Sequence, residues 1–213
     1  MPAPAIKICG ISTSETLAAV IAARAEYVGF NFHAPSPRFV TLQQAQLLGA
    51  QAKGRIERVG LFVDAADGQL DEAVATGAID VLQLHGAESP ARAAELRSRF
   101  GLPVWKVIGV AGASDLDRAE AHIGAADLIL LDARTPAGSL PGGMGLKFDW
   151  GLLAGWQAPM PWGLAGGLNP GNIAEAIAIT GTPLVDAASG VERAKGVKDP
   201  VLIAEFCAAV RRA

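Results

Sequence analysis

The chain has 213 residues, a hydrophobic fraction of 51% and a formal net charge of −3, a composition that excludes a disordered chain and offers no basic excess for nucleic acid. The start of the sequence, Met1-Pro-Ala-Pro-Ala5, lacks the basic and apolar regions of an export signal, and no apolar segment is long enough to cross a membrane. Two cysteines, Cys9 and Cys207, are too few for a disulfide framework. We therefore expect a cytoplasmic protein with one large hydrophobic core.

Short apolar segments alternate with Ala- and Leu-rich helical segments along the whole chain. The predicted strands are Ala5–Cys9, Tyr27–Phe32, Arg58–Asp64, Val81–His85, Val104–Val110, Leu128–Asp132, Trp162–Gly166 and Leu184–Ala188. The predicted helices are Ser14–Ala23, Leu42–Ala52, Gln69–Thr76, Ala91–Phe100, Ser114–His122, one entered at Asp149, Gly171–Ile179 and Val201–Arg211.

Three helix starts carry recognisable cap signals. Ser12 with Glu15, and Thr41 with Gln44, have the spacing of a capping box, and Ser89-Pro90 places a cap before a proline in the first turn.

Eight strand-then-helix units predict an α/β fold, a single (β/α)8 TIM barrel that occupies residues 1–213. An open doubly wound sheet is the alternative, but no G-x-G-x-x-G follows the first strand. Active sites of barrels lie at the carboxyl ends of the strands. The polar residues at these ends are Cys9, Asn31, Asp64, His85, Asp132, Asp186 and Ser189.

The first strand ends in a candidate nucleophile or base. A strand repeats every two residues, so Lys7 and Cys9 share one face, with Cα atoms about 6–7 Å apart. A thiol ionises readily only where a cation or dipole lowers its pKa, and Lys7 is a candidate cation. The alternative is that Cys9 is a small buried hydrophobic residue, which is our interpretation of Cys207.

The sixth strand ends at Asp132, which precedes a Gly- and Pro-rich loop over residues 133–145. A carboxylate beside such a loop is typical of a site with a lid. Asp is also a common turn residue, so this stretch alone leaves both interpretations open.

Two further side chains suit a polar ligand. Arg38 follows strand two in a loop stiffened by prolines and is placed to grip a carboxylate, although a solvated surface arginine is the alternative. His85 ends strand four; His33 and His122 have no comparable setting. No His, Cys and Glu cluster has metal-ligand spacing, so we predict no metal site.

Small residues follow strands seven and eight, in the segments Gly163–Asn172 and Ser189–Glu192. Backbone N–H groups before a helix start favour an anion, and these two loops form the usual phosphate site of a barrel.

In these motifs the chain resembles the phosphoribosylanthranilate isomerase family of tryptophan biosynthesis, over nearly its whole length and in order. The matching segments are Lys7–Gly10, Gly29–Phe32, Ser36–Arg38, Val59–Asp64, Leu82–Gly86, Leu131–Asp132, Pro141–Gly145, Phe148–Trp150, Ala165–Leu168 and Ser189–Glu192.

The resemblance implies a cofactor-free Amadori rearrangement of N-(5-phosphoribosyl)anthranilate to 1-(2-carboxyphenylamino)-1-deoxyribulose 5-phosphate. It makes Asp132 the general acid, Cys9 the general base and Arg38 the ligand of the anthranilate carboxylate. Supporting roles fall to His85 and Asp186. The residues implied for the phosphate are Gly166, Gly167, Ser189 and Gly190.

The chain departs from the family's pattern at Met144, Ala188 and His33-Ala34, which concern loop contacts rather than the proposed acid and base. Three alternatives stay open: the Amadori isomerase of histidine biosynthesis, which has Asp at the base position, a metal-dependent sugar-phosphate epimerase, and a non-catalytic phosphate-binding barrel. The expected partner is the small-molecule substrate, with no nucleic acid and no membrane. We expect a monomer, with a homodimer as the alternative.

Overall fold

The computed structural model describes residues 3–135 and 145–213. Eight parallel strands close into a barrel in the order in which they occur along the chain, which confirms the predicted fold. The strands are β1 Ala5–Cys9, β2 Tyr27–Asn31, β3 Glu57–Phe62, β4 Val81–Leu84, β5 Val104–Val110, β6 Leu128–Ala133, β7 Trp162–Leu164 and β8 Leu184–Ala187.

Helices follow the strands and cover the outside of the barrel. The α-helices are α1 Ser14–Ala22, α2 Leu42–Ala52, α3 Asp67–Ala75, α4 Pro90–Phe100, α5 Ile173–Thr180 and α6 Pro200–Arg212. After β5 and β6 the predicted helices form as 3-10 helices, at Ala113–His122 and Trp150–Leu153. Ser, Asp and His are weak helix formers in the first of these segments, and Gly151 and Gly155 interrupt the second.

The helix caps agree with the sequence at two of three starts. Thr41 and Gln44 form the predicted capping box, and Ser89 caps α4 with Pro90 in its first turn. The first prediction is wrong by one residue, since Thr13 rather than Ser12 caps α1 by accepting a hydrogen bond from the Thr16 N–H.

Two apolar layers divide the barrel. Outward-facing strand residues such as Ile6, Ile8 and Leu131 pack with the helices in the main core. A smaller cluster fills the interior at the amino ends of the strands, with Trp105 packed edge-on against Tyr27. Because this cluster closes one end, polar interior side chains are left for the carboxyl end. No helix within residues 3–135 and 145–213 is long and apolar enough to cross a membrane.

A short antiparallel hairpin follows β8 and was not predicted. Its strands are β9 Glu192–Ala194 and β10 Val197–Lys198, joined by Lys195 and Gly196. Gly196 has φ +79° and lies against the carbonyl of Pro37, so a side chain at this position would be strained and crowded. The hairpin thereby packs beside the loop that carries Arg38.

Candidate active site

A cavity of about 250 Å³ opens at the carboxyl ends of the barrel strands. The predicted site residues that line it are Cys9, Arg38, His85, Asp132, Gly166, Gly167, Asp186 and Ser189. Gly190 is not among them: a Cβ added there would come within 1.9 Å of the Leu168 carbonyl oxygen, so Gly190 serves the contact between the loops that follow β7 and β8. Asp64 also turns aside, since Val63 lines the cavity while the Asp64 carboxylate accepts a hydrogen bond from the Ala87 N–H.

Cys9 lies next to a buried ion pair. The Lys7 Nζ donates to Asp186 Oδ2 over 2.7 Å, and Lys7 is fully buried. Burial opposes the charge on Lys7, but Asp186 and Cys9 together raise the pKa of Lys7 above its ordinary value. For Cys9 the balance differs: burial raises the pKa of the thiol, and Lys7 only partly offsets this. The predicted cation is therefore present, but it does not bring the pKa of the thiol below its ordinary value.

Asp132 lies near the end of β6, with its side chain beside that of His85. His85 Nε2 lies 3.4 Å from Asp132 Oδ2, while Asp132 Oδ1 accepts a hydrogen bond from the Ala133 N–H over 2.8 Å. The Asp132 side chain is 10% exposed, so it is largely shielded from water while facing the cavity. The structure thus places the carboxyl group on β6 and the imidazole directly after β4, each three strands from β1 and its Cys9.

The loop that carries His85 is fixed by a second buried ion pair. The Lys106 Nζ donates to the carbonyl of Gly86 over 2.7 Å and to Glu88 Oε2 over 2.9 Å. Glu88 in turn accepts hydrogen bonds from the N–H groups of Gly86 and Asp64. Because these bonds join the loops after β3 and β4 to β5, they limit the movement of the His85 backbone.

Arg38 is held by a carboxylate from the hairpin. Its Nε and Nη2 donate to the two oxygens of Glu192 over 2.6 and 2.9 Å. Lys198 also donates to Glu192, over 2.8 Å, and to the Ala188 carbonyl over 2.6 Å. Two cations thus share one carboxylate, which leaves a net positive charge on this side of the cavity.

The glycine loops after β7 and β8 offer backbone donors. No hydrogen bond between described residues uses the N–H group of Gly166, Gly167, Ser189 or Gly190 as its donor. All four residues are half-buried, and backbone N–H groups without a protein acceptor beside a cavity suit an anionic ligand.

Sequence reasoning missed several residues of the site. Gln83 is 1% exposed and lines the cavity, and neither its Oε1 nor Asp186 Oδ1 has a hydrogen-bond partner among the described residues. The available signal was the position of Gln83 on β4, two residues before His85, because a period of two places both side chains on one face of the strand. His33 also lines the cavity, contrary to the expectation that it had no comparable setting. Glu192 lies 154 residues from Arg38, so no local pattern could pair them.

The predicted lid falls mostly outside the described residues, which end at Thr135 and resume at Gly145. Met144, one of the departures from the family pattern, lies in that interval. The other two departures, Ala188 and His33, line the cavity.

The sequence and fold match one family throughout. The family model described as N-(5'-phosphoribosyl)anthranilate (PRA) isomerase matches residues 6–209. Proteins named N-(5'-phosphoribosyl)anthranilate isomerase are 49% identical in Mesorhizobium japonicum, over 98% of this chain and 95% of that protein, and 52% identical in Paracoccus denitrificans, over 97% and 96%.

Solved structures agree with this assignment. Monomers generated from the dimeric phosphoribosylanthranilate isomerase of Thermotoga maritima give a TM-score of 0.85 at 30% identity, covering 99% of this chain and 100% of that one. A phosphoribosylanthranilate isomerase in complex with reduced 1-(o-carboxyphenylamino)-1-deoxyribulose 5-phosphate gives 0.83 at 28% identity, with the same coverage. The chain belongs to the N-(5'-phosphoribosyl)anthranilate isomerase family.

Proposed function

We propose that this protein is the isomerase that converts N-(5-phosphoribosyl)anthranilate to 1-(2-carboxyphenylamino)-1-deoxyribulose 5-phosphate in tryptophan biosynthesis. The observation that carries the residue roles is the placement of Cys9 on β1 and Asp132 on β6, so that both line one cavity. A thiol and a carboxyl group on different sides of a ligand suit a reaction that needs one acid and one base.

Asp132 is the general acid. It gives a proton to the ribose ring oxygen, the bond from the anomeric carbon to that oxygen breaks, and the nitrogen lone pair forms the protonated Schiff base. Shielding from water supports this role, because bulk water would compete for the proton. His85, 3.4 Å away, orients the Asp132 carboxyl group and does not itself transfer the proton.

Cys9 is the general base. Its thiolate removes the proton from C2 of the Schiff base, which leaves an enolamine that tautomerises to the product ketone. The Lys7 ammonium favours the thiolate and so partly offsets the burial that raises the pKa of the Cys9 thiol.

The rest of the cavity matches the rest of the substrate. Arg38 binds the anthranilate carboxylate, and the N–H groups of the loops after β7 and β8 bind the phosphate. Asp186 Oδ1 and Gln83 Oε1 accept hydrogen bonds from the sugar hydroxyls, which would satisfy two buried oxygens that have no partner among the described residues.

Two of the three alternative functions are disfavoured by the site residues, and the third can be tested with a chelator. Cys9 rather than Asp at the base position disfavours the isomerase of histidine biosynthesis, and a non-catalytic barrel would not need both Cys9 and Asp132. A metal-dependent epimerase would lose its activity with a chelator.

The decisive experiment follows the fluorescence of phosphoribosylanthranilate as purified protein consumes it, with and without a chelator. We expect the same turnover in both samples. A folded protein that leaves the compound unchanged, or that needs an added divalent ion, would show the proposal to be wrong.

We also propose that the protein acts as a monomer in the cytoplasm. Two buried free thiols suit a reducing compartment, and Cys9, Arg38 and Asp132 line one cavity within a single barrel. Sedimentation equilibrium at micromolar concentrations should give a single species of about the chain mass of 21.9 kDa.

A further inference from the structure

The side of the cavity that carries the buried Arg38 also holds an exposed cation, Lys195. Lys195 lines the cavity at the turn between β9 and β10, and no ion pair between described residues includes it. The lysine ammonium is compact and strongly hydrated, so a cation at a cavity mouth suits an anion that enters from water.

The position of the hairpin assigns Lys195 to the carboxylate side of the site. Gly196, the next residue, donates its N–H to Glu192 Oε2 over 3.0 Å and lies against the carbonyl of Pro37. Glu192 is the carboxylate that holds Arg38, and Pro37 precedes Arg38 in the chain. The backbone of Lys195 is therefore fixed beside the Arg38 loop by two separate contacts.

The charges explain why a second cation is useful here. Glu192 engages two donors of Arg38 at once and so compensates much of its positive charge. Lys198 restores a net positive charge, but it is 5% exposed and donates to Glu192 and to the Ala188 carbonyl. Lys195 is the only ammonium group among the described residues that line this cavity, and it is exposed.

We propose that Lys195 binds the aryl carboxylate of the substrate together with Arg38, so that the β9–β10 turn forms the outer half of the carboxylate subsite. This inference rests on the proposed function, because it takes the ligand to be an anthranilate-bearing sugar phosphate. It makes Lys195 a residue that selects an aromatic amine with a neighbouring carboxylate over one without it.

Calorimetric binding of two unreactive ligands tests this proposal. One is reduced 1-(o-carboxyphenylamino)-1-deoxyribulose 5-phosphate, and the other is the same compound without the carboxyl group. Each is titrated into the wild type, Lys195→Gln, Lys195→Arg and Arg193→Gln. Arg193 is the matched control, since it is an exposed cation on the same hairpin and is not among the described residues that line the cavity.

We expect Lys195→Gln to raise the Kd of the carboxylate ligand about two- to fivefold at low salt, as for an exposed ion pair, and to leave the Kd of the other ligand unchanged. The loss should shrink as salt screens the charge, and Lys195→Arg should retain the affinity. An equal loss for both ligands, no loss, or the same loss in Arg193→Gln would each overturn the assignment. Turnover by the wild type, measured separately, tests the proposed function, so the failure of one proposal is distinguishable from that of the other.

Discussion

Cys9 illustrates how burial and a neighbouring cation compete over one proton. The cavity that shields the reaction from water also penalises the thiolate, and this burial is the largest influence on the pKa of Cys9. Lys7 opposes it, while the Asp186 carboxylate works in the same direction as burial. Both effects leave the pKa of the Cys9 thiol above its ordinary value, so the proposed base needs further stabilisation of its thiolate when the substrate is bound.

This balance predicts the pH dependence of Cys9 alkylation by iodoacetamide. Because the pKa of the thiol is raised, the thiolate fraction is lower at neutral pH than in an ordinary cysteine, and the rate should keep rising with pH beyond the ordinary thiol range. Mass spectrometry of the modified peptide measures the rate. Cys207, whose pKa burial raises to about 11, is an internal comparison. A rate that levels off near neutral pH would contradict the raised pKa.

Substitution of the proposed acid and base should separate chemistry from folding. Cys9→Ala and Asp132→Asn each remove one proton-transfer group from a side chain of similar size. We expect each to lower kcat at least about 100-fold with the circular dichroism spectrum unchanged. Steady-state kinetics with the fluorescent substrate gives the answer, and Cys207→Ala is the matched control. A kcat within a few-fold of the wild type would remove the assigned role from that residue.

At the scale of elements, the β9–β10 hairpin joins two parts of the site that the sequence leaves far apart. Its Glu192 holds Arg38 from the loop after β2, and its Lys198 holds the Ala188 carbonyl after β8. The hairpin thus links the proposed carboxylate and phosphate sides of the cavity. Its strands have three and two residues, which is too short for a period-two pattern to reveal.

Glu192→Gln tests the contribution of this link to stability. Burial alone would raise the pKa of Glu192, but hydrogen bonds from Arg38 and the charge of Lys198 lower it below its ordinary value. The stabilisation of the fold by the Glu192 carboxylate is therefore complete above the ordinary pKa of a glutamate. It is lost as the pH falls through the lowered pKa that Glu192 has in the folded protein. We expect Glu192→Gln to cost about 3–5 kcal/mol of unfolding free energy at neutral pH, and less in acid.

Urea denaturation at several pH values measures this difference. Glu175→Gln, at an exposed position on α5, is the control and should change stability little at any pH. If the effect of Glu192→Gln were independent of pH, the loss would come from packing and not from the carboxylate charge.

The sequence predicted the strands well because buried parallel strands are short apolar segments with clear ends. It placed Lys7 and Cys9 inside the barrel from periodicity alone, and the structure confirms that both are buried. The predicted helices after β5 and β6 formed as 3-10 helices, because weak helix formers and a glycine disfavour the α-helix there. The partners of Arg38 and Lys7 could not be predicted, because they lie 154 and 179 residues away and depend on barrel closure.

At the scale of the whole molecule, the strand pairing that closes the barrel also brings site residues together. Lys7 and Asp186 are register partners on β1 and β8, the two strands that meet when the barrel closes. Their ion pair is buried between the chain's first and last barrel strands, beside the thiol of Cys9. A buried pair stabilises weakly as a whole, but the loss of one partner leaves an uncompensated charge in the interior.

Substitutions in the Lys7–Asp186 pair between β1 and β8 separate the role of the pair in folding from its role in activity. Lys7→Met leaves Asp186 buried without its cation, so we expect a loss of about 3–5 kcal/mol in unfolding free energy. Lys7→Met with Asp186→Leu removes both charges and should recover most of that loss. Both variants should have a lower kcat/KM than the wild type, because both lack the Lys7 ammonium that favours the Cys9 thiolate. Urea denaturation and steady-state kinetics on the same preparations measure the two effects. If the double variant were as unstable as Lys7→Met, the packing of these side chains between β1 and β8 would matter more than their charges. If it kept the wild-type kcat/KM, Cys9 would work without the Lys7 cation.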